Sequence, residues 1–407
     1  MLPPAIFTQI GQAIFGISIL LCIPFFFSPS DQSILFLFLS LGALSRLADM
    51  GFLNLVIIYS SKSSETQYKD YIPAFKIFTY KLHLKKLLTI FPLIFIIGYL
   101  LLVFSNDPKS YLGEWFLYVL AISSGFSVNY FLSFHEGAFD LKFAHIFRGL
   151  YFSLSGLFFF LFSYLGFSII SLGLSLIISS ICIFIFLFYY GVLRLDFSTN
   201  CTLSLSNYEF STLSHKAFVS WLGGYIGTHG LITASYLLIN PFFSGLLGLT
   251  FNIFIFLQNL ANIFLVSVVP EVSSLASTNT HRSLRIIMDS LRKSLITYVI
   301  LVMIFFAFYL NLPTEYSERL LGVKNILFIA FAFLFSIVTY AFSIFVRAFK
   351  VEPFGVVALF TSFIAVATMT FTASFSWDFA LAGFTLASFI SFFYTYLIFL
   401  KHKKSYV

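Results

Sequence analysis

Charged residues are scarce in this sequence, and their scarcity excludes a water-soluble protein. Only 10% of the 407 residues are Asp, Glu, Lys or Arg, whereas 59% are hydrophobic and the mean hydropathy is +0.98. A globular domain in water carries about 25% charged residues, because its surface must be solvated. We therefore expect the chain to lie almost wholly in a membrane, with no substantial soluble domain.

Cysteines and catalytic motifs are equally sparse. The three cysteines, Cys22, Cys182 and Cys201, lack the spacing of metal ligands, so neither a disulfide framework nor a zinc site is expected. The sequence contains no GxxxxGK[ST] phosphate loop, no HExxH and no DxD motif. Chemistry on sugars would need positioned carboxylates or a metal ion. We therefore predict a protein that is not an enzyme, needs no cofactor and does not hydrolyse ATP.

Long apolar runs fill the chain instead. A membrane-spanning helix needs roughly 20 apolar residues, whereas barrel strands alternate over about ten residues, so unbroken runs favour helices. The fold class is therefore an all-α polytopic membrane protein with about twelve transmembrane helices. The predicted spans lie near residues 5–28, 33–60, 87–105, 114–134, 148–165, 168–190, 217–239, 242–268, 294–311, 325–346, 354–375 and 377–400.

The basic residues alternate between the two sides of these spans. Nineteen of the 23 Lys and Arg lie in one set of alternate connections, and three lie in the other. The positive-inside rule assigns the richer set to the cytoplasm, so both termini are expected there. This distribution also explains the net charge of +7 without nucleic-acid binding. Two halves in the same orientation, 1–195 and 217–407, are joined by a cytoplasmic linker, 196–216.

One ion pair is expected inside the membrane. Arg46 and Asp49 lie in the second span at i, i+3 spacing, which places them on one helical face. A charge at the centre of a spanning helix costs roughly 2.5–3.5 kcal/mol. We therefore expect the pair to have a structural or functional role. It either pins two helices together or faces a hydrated cavity that takes an anionic or cation-coupled substrate. We favour the cavity.

Uncharged polar side chains concentrate in the first two spans of each half. A single Asn or Gln in a span more often makes an interhelical hydrogen bond, and a lone histidine more often packs than relays protons. The joint pattern, however, predicts a polar cavity. The members of these faces are Gln9 and Gln12 in the first span, Trp221, Tyr225 and His229 in the seventh, and Asn252, Asn259 and Asn262 with Gln258 in the eighth.

Two segments carry a resemblance to a known family. The exit of the second span contains Asp49-Met-Gly51-Phe-Leu-Asn54, and the eighth span ends in Val269-Pro270-Glu271-Val-Ser-Ser-Leu275. These segments resemble the Wzx-like O-antigen flippases of the multidrug/oligosaccharidyl-lipid/polysaccharide exporter superfamily. Twelve spans with cytoplasmic termini match that family along the whole chain. The chain departs from it at Met1-Leu-Pro-Pro4, which lacks basic residues, so we expect a start upstream of Met1.

The resemblance implies two six-helix bundles around a central cavity, in the inner membrane of a bacterium. It implies flipping of undecaprenyl-diphosphate-linked oligosaccharide to the periplasmic leaflet, by alternating access coupled to H⁺ or Na⁺. Arg46 would attract the diphosphate or a sugar carboxylate, and Asp49 would be its partner or an ion site. The substrate-binding candidates are Arg46, Asn54, Gln9, Gln12, His229, Asn252, Asn259 and Asn262. Membrane lipids and the polymerase and chain-length regulator of the same pathway are the expected partners.

Three alternatives remain open from the sequence. A MATE-like ion-coupled drug exporter would have the same spans and a central acidic site. A membrane-embedded O-antigen polymerase or ligase would need a large periplasmic loop with catalytic residues, which the short predicted outer connections do not offer. A passive membrane scaffold would need no polar cavity. This sequence also departs from the family in having few intramembrane cations beyond Arg46. A strongly cationic cavity is therefore not expected here.

Overall fold

The computed structural model of the chain is almost entirely helical. It describes residues 4–45, 49, 52–61, 71–104, 111–138, 140–193, 219, 221–275, 279–349, 351 and 353–406, and these contain no β-strand. Ten of the helices among them are long and apolar enough to cross a membrane. The chain is therefore a multi-pass, all-α membrane protein. It divides into two units, Met1–Phe218 and Val219–Val407.

The N-terminal unit is a bundle in which the helix Leu112–Ala138, named α5, packs against most of the other helices. Trp115, Tyr130 and Phe134 on α5 are fully buried. Bulky aromatic side chains therefore fill the core of this unit, and the small residues lie where helices cross closely. Its helices are α1 (Ala5–Phe26), α2 (Pro29–Gly42), α3 (Phe52–Ser61), α4 (Tyr71–Phe104), α5 (Leu112–Ala138), α6 (Leu141–Tyr164) and α7 (Ile170–Tyr189).

The C-terminal unit is built on four long helices, α9 (Pro241–Leu275), α10 (Thr280–Leu310), α12 (Val323–Ala348) and α14 (Ala382–Tyr406). A π-helical turn, Ile226–Gly230, leads into the first of its helices. Asn325 is buried at the start of α12, where its side chain bonds the backbone before α14. The helices are α8 (Leu231–Leu238), α9 (Pro241–Leu275), α10 (Thr280–Leu310), α11 (Thr314–Ser317), α12 (Val323–Ala348), α13 (Gly355–Phe375) and α14 (Ala382–Tyr406).

Ten of the twelve predicted spans appear as continuous helices, and two are interrupted. In the second predicted span, α2 ends at Gly42 and a turn follows at Ala43 and Leu44. The seventh contains the π-helical turn followed by the short α8. Glycine has a low helix propensity, and Gly223, Gly224, Gly227 and Gly230 occupy the seventh span. The predicted cytoplasmic termini and the predicted boundaries of the two halves stay predictions.

The predicted start of the third span, at residue 87, was wrong. The helix begins at Tyr71, so Lys76, Lys81, Lys85 and Lys86 lie on α4 and not in a loop. Its 34 residues correspond to about 51 Å of helix, which exceeds the roughly 30 Å of hydrocarbon in a bilayer. The lysine-bearing turns can therefore be helical and still lie close to the headgroups.

Glycine allows α1 and α6 to pack at unusually short distance. A methyl group added to Gly11 would lie 2.8 Å from the Cα atom of Gly149, and one added to Gly149 would meet the backbone of Phe7. Two helical turns further along α6, Gly156 faces Phe15 and Ser18 of α1. Small residues let the backbones of membrane helices approach in this way. As a result α1 is held on α6 along most of its length.

Candidate functional site

Asp49 lies between α2 and α3 and has two described partners. Its Oδ1 atom accepts a hydrogen bond of 2.8 Å from the backbone N–H of Leu53. Its carboxylate also interacts electrostatically with the Lys86 ammonium on α4. Arg46 lies outside the described residues, as does the side chain of Asn54 on α3. The predicted pairing of Asp49 with Arg46 therefore stays a prediction, and Lys86 is a partner that the sequence did not reveal.

Lys86 ends a column of stacked rings in the N-terminal unit. Its Nζ atom lies 5.0 Å from the ring centroid of Phe52. The Phe52 ring stacks on Tyr130 with centroids 6.1 Å apart, and Tyr130 stacks on His83 at 4.5 Å. A cation over an aromatic face is attracted by the ring quadrupole. The rings therefore hold a half-buried ammonium group in place beside Asp49.

One face of α4 carries both half-buried lysines. Lys76 donates a 2.8 Å hydrogen bond to the carbonyl of Val192. Residues 76, 79, 83 and 86 follow the i, i+3, i+7 spacing of one helical face, whereas Lys81 and Lys85 are exposed on the other side. The sequence analysis expected few intramembrane cations beyond Arg46. That expectation stays a prediction, because the lysine-bearing turns can lie at the headgroups. The spacing along α4 was the signal that could have indicated a face with half-buried lysines.

A second polar cluster joins three helices at one end of the same unit. Glu136 on α5 lies 2.9 Å from the guanidinium of Arg148 and 3.6 Å from Nε2 of His145, both on α6. The Nδ1 atom of His145 lies 2.9 Å from the hydroxyl of Thr8 on α1. Arg148 also donates a 3.2 Å hydrogen bond to Ser133. We name these five residues the Glu136 cluster. None of them was a candidate in the sequence analysis.

The polar face of α1 is only partly covered by the rest of the chain. Gln12 is exposed and Gln9 is half-buried, whereas the exposed apolar residues Ile14 and Leu21 lie on the opposite side of the helix. A glutamine facing hydrocarbon is costly, so an exposed glutamine face is expected to be in contact with water. The binding of a polar ligand by the two glutamines stays a prediction.

The candidates of the C-terminal unit lie on two elements. His229 lies in the π-helical turn, where its ring stacks on Tyr225 with centroids 6.1 Å apart. Asn259 on α9 is exposed. The Asn252 side chain bonds the backbone carbonyl of Gly248, so part of its capacity is used within its own helix.

Further along α9 a second amide bonds a neighbouring helix. Gln258 donates a 2.9 Å hydrogen bond to Ser336 on α12, which is the ordinary interhelical role of such a residue. The buried Oδ1 atom of Asn262 has no hydrogen-bond partner among the described residues. His229 lies in the π-helical turn, whereas the asparagines lie on α9. Their convergence on one ligand, and the central cavity that the resemblance implies, stay predictions.

Comparison with known proteins identifies the fold. No protein-family model matches the chain, and no curated protein sequence matches it significantly. A multidrug resistance MATE family transporter of the MOP superfamily, in an inward-facing conformation, aligns with a TM-score of 0.73 and 12% identity over 99% of this chain and 96% of that chain. The lipid II flippase MurJ, in an inward closed conformation, aligns with a TM-score of 0.66 and 13% identity over 96% and 86%.

A third solved structure extends the same likeness. The MATE multidrug transporter DinF-BH, solved in complex with a ligand, aligns with a TM-score of 0.61 and 11% identity over 98% of this chain and 93% of that chain. Identities of this size carry the fold and nothing finer. The chain has the fold that MATE transporters share with the MurJ flippase.

Proposed function

We propose that this protein flips undecaprenyl-diphosphate-linked O-antigen or related polysaccharide units from the cytoplasmic to the periplasmic leaflet of a bacterial inner membrane. It does so by alternating access coupled to a cation gradient. The fold is compatible with this role, because a lipid flippase and drug transporters are among the solved structures that resemble it. The observation that carries the choice of cargo is the half-buried Lys86 and its ring column.

The charges inside the N-terminal unit favour an anionic cargo. Lys76, Lys86 and Arg148 are partly buried there, together with the carboxylates of Asp49 and Glu136. A partly buried excess of positive charge attracts anions and repels organic cations. A diphosphate also accepts several charge-assisted hydrogen bonds, which are stronger than neutral ones. A lipid-linked diphosphate therefore suits this unit better than a cationic drug does.

The test compares Lys86 with an exposed lysine of the same helix. Loss of a charge-assisted contact costs about 1.5–3 kcal/mol, which corresponds to roughly tenfold to hundredfold weaker binding. Lys86→Ala should therefore reduce flipping strongly, Lys86→Arg should retain most of it, and Lys81→Ala should behave like the wild type. The readouts are the lipopolysaccharide ladder in a flippase-deficient strain with the matching O-antigen cluster and the leaflet location of the lipid-linked unit.

Two outcomes distinguish a wrong function for the protein from a wrong role for Lys86. If the unit reaches the periplasmic leaflet equally well without this protein, then flipping is not its role. If the wild type flips the unit and Lys86→Ala does so at the same rate, the protein is a flippase but Lys86 does not bind the diphosphate. A membrane-embedded polymerase or ligase would act after flipping, so its loss would leave the unit in the periplasmic leaflet.

A MATE-like ion-coupled drug exporter is the second candidate. It is favoured by the TM-score of 0.73 to a multidrug resistance MATE family transporter. Cells that express the protein would then accumulate less of a cationic fluorescent dye than cells with an empty vector. Equal dye accumulation together with restored lipopolysaccharide would exclude this candidate.

A further inference from the structure

The Glu136 cluster gathers titratable side chains at a junction of three helices. Glu136 lies in the last turn of α5, His145 lies near the start of α6, and Thr8 lies in the first turn of α1. The side chains of His145 and Glu136 are 14% and 11% exposed. They are thus largely, but not fully, withdrawn from the surface. We propose that the Glu136–His145 pair is a proton-binding site whose occupancy is transmitted to α1 through Thr8.

The donors and acceptors around His145 distinguish the two tautomers of its neutral ring. The Thr8 hydroxyl lies 2.9 Å from Nδ1 and 3.3 Å from the backbone carbonyl of His145, but it has a single hydrogen to donate. In a neutral imidazole with the hydrogen on Nε2, the hydroxyl must donate to Nδ1, and the carbonyl is left without it. With the hydrogen on Nδ1, the bare Nε2 faces the carboxylate of Glu136.

Uptake of one proton from water resolves this conflict. In the imidazolium both ring nitrogens carry hydrogen. The Nδ1 hydrogen can then be donated to Thr8, the Thr8 hydroxyl to the carbonyl of His145, and the charged Nε2 side faces Glu136 at 3.6 Å. All three interactions coexist only in this state. The direction and number of the hydrogen bonds that join Thr8 of α1 to α6 therefore depend on the protonation of His145.

Glu136 offers a second position for the same proton. Its Oε2 atom lies 2.9 Å from Arg148, yet it is buried and accepts no aligned hydrogen bond among the described residues. The guanidinium donates to Ser133 instead. With Glu136 ionised, Arg148 balances it, and a proton on His145 makes the cluster positive. The proton can therefore be shared between the imidazole and the carboxylate.

The surrounding elements contribute few other charges. Within the described residues, Arg148 and His145 are the partners of Glu136 in ion pairs. Three further ionisable groups lie nearby: His135 on α5, Asp140 just before α6 and Lys76 on α4. His135 interacts electrostatically with the other two. From α3, Ser60 packs against Gly137, and from α7, Tyr190 contacts Phe143 and Phe147. These two side chains are uncharged near neutral pH.

A change at Thr8 acts on the polar face of α1. Gln9 follows Thr8 directly, and Gln12 lies one turn later on the exposed face. Since Gly11 and Gly149 hold the two backbones together, a changed Thr8–His145 bond alters how firmly the first turns of α1 are held. The inference rests on the proposed transport function in one respect. It names the proton as the coupling ion and places it at Glu136 and His145, away from Asp49.

The first experiment needs no substrate. Hydrogen–deuterium exchange of α1 peptides, corrected for intrinsic rates, would be followed over roughly pH 5 to 8, where histidine titrates. We expect the protection of α1 to vary with pH in the wild type and in His281→Gln, a control at an exposed histidine. The variation should be lost in Glu136→Gln and His145→Gln. Thr8→Val should lose it as well, although both titratable groups remain.

The second experiment measures coupling in proteoliposomes. The probe is a polyprenyl diphosphate that carries a fluorescent oligosaccharide, and a pH gradient is imposed at zero membrane potential. The gradient should accelerate flipping by the wild type and by His281→Gln, and not by Glu136→Gln. If the wild type moves no probe but α1 shows the expected pH dependence, the proposed function fails and the proton site stands.

Two results would overturn the assignment. One is an α1 protection profile in Glu136→Gln and His145→Gln that follows pH as in the wild type. The other is a gradient response that survives in Glu136→Gln and disappears in Asp49→Asn, which would place the coupling site at Asp49. Glu136→Gln has nearly the shape of the native side chain, and Thr8→Val changes no charge. A variant that fails to fold therefore leaves another with which to decide.

Discussion

The contact between α1 and α6 leaves no space for one additional methyl group. A methyl group on Gly149 would lie 2.8 Å from the carbonyl carbon of Phe7, and the neighbouring atoms are backbone that cannot rotate away. Non-bonded carbon atoms normally lie about 3.5–4.0 Å apart. The substitution Gly149→Ala must therefore separate the two helices by about 0.7 Å or more at this point.

This separation has a calculable effect on stability. Overpacking of a close contact costs about 1–3 kcal/mol, whereas alanine gains up to about 1 kcal/mol over glycine in helix propensity. Gly113, near the start of α5, has no atom within 4 Å of an added methyl group. Gly113→Ala thus shares the propensity gain without the clash. We expect Gly149→Ala to be less stable than Gly113→Ala by about 1–3 kcal/mol.

The same displacement reaches the Glu136 cluster. His145 precedes Gly149 by one helical turn, and its 2.9 Å contact with Thr8 would lengthen to about 3.6 Å, beyond hydrogen-bond range. Thermal unfolding in detergent measures the stability difference, and α1 hydrogen exchange measures the loosened contact. Equal unfolding temperatures for the two alanine variants would refute the packing argument, since the clash would then be relieved at no cost.

Further outcomes are expected for other parts of the chain. Arg46→Ala should impair transport more than Arg46→Lys, because the positive charge motivates its role; both variants at wild-type activity would exclude that role. In a background without native cysteines, a cysteine at Lys142 should be labelled only from the cytoplasm and one at Asp378 only from outside, and the reverse would invert the topology. Asn325→Ala should cost about 1–3 kcal/mol of unfolding free energy, because Asn325 bonds the carbonyl of Trp377 at 2.6 Å and a backbone N–H; an unchanged unfolding transition would show that these bonds are replaced.

The number and type of the helices could be predicted because the bilayer imposes a length on every span. An apolar run of about 20 residues has few alternatives to a helix, so the all-α fold class is confirmed. Interruptions within a span are harder to predict, since the second span contains no proline to mark the turn at Ala43 and Leu44. The four glycines from Gly223 to Gly230 were a usable signal for the π-helical turn.

The start of α4 was missed because hydropathy averages over all faces of a helix. Lys81 and Lys85 on the exposed face lower the average, so the first turns look like a loop. On the other face, Thr79 and His83 bond Tyr130 and Ser127 of α5. A helix whose end leaves the hydrocarbon must be identified by periodicity. Lys76 and Lys86, which support the proposed cargo, were hidden for this reason.

The Glu136 cluster could not be predicted from the sequence for a different reason. Glu136, His145 and Arg148 flank a very short connection, where charged residues ordinarily serve to orient the spans. What distinguishes them is Thr8, which is 137 residues away from His145 in sequence and meets it only because Gly11 and Gly149 admit close packing. Glycine spacing on α1 and α6 predicts close packing in general but does not identify the partner helix. A titratable pair at the end of a span should therefore be tested as a site whenever a glycine contact brings a third helix against it.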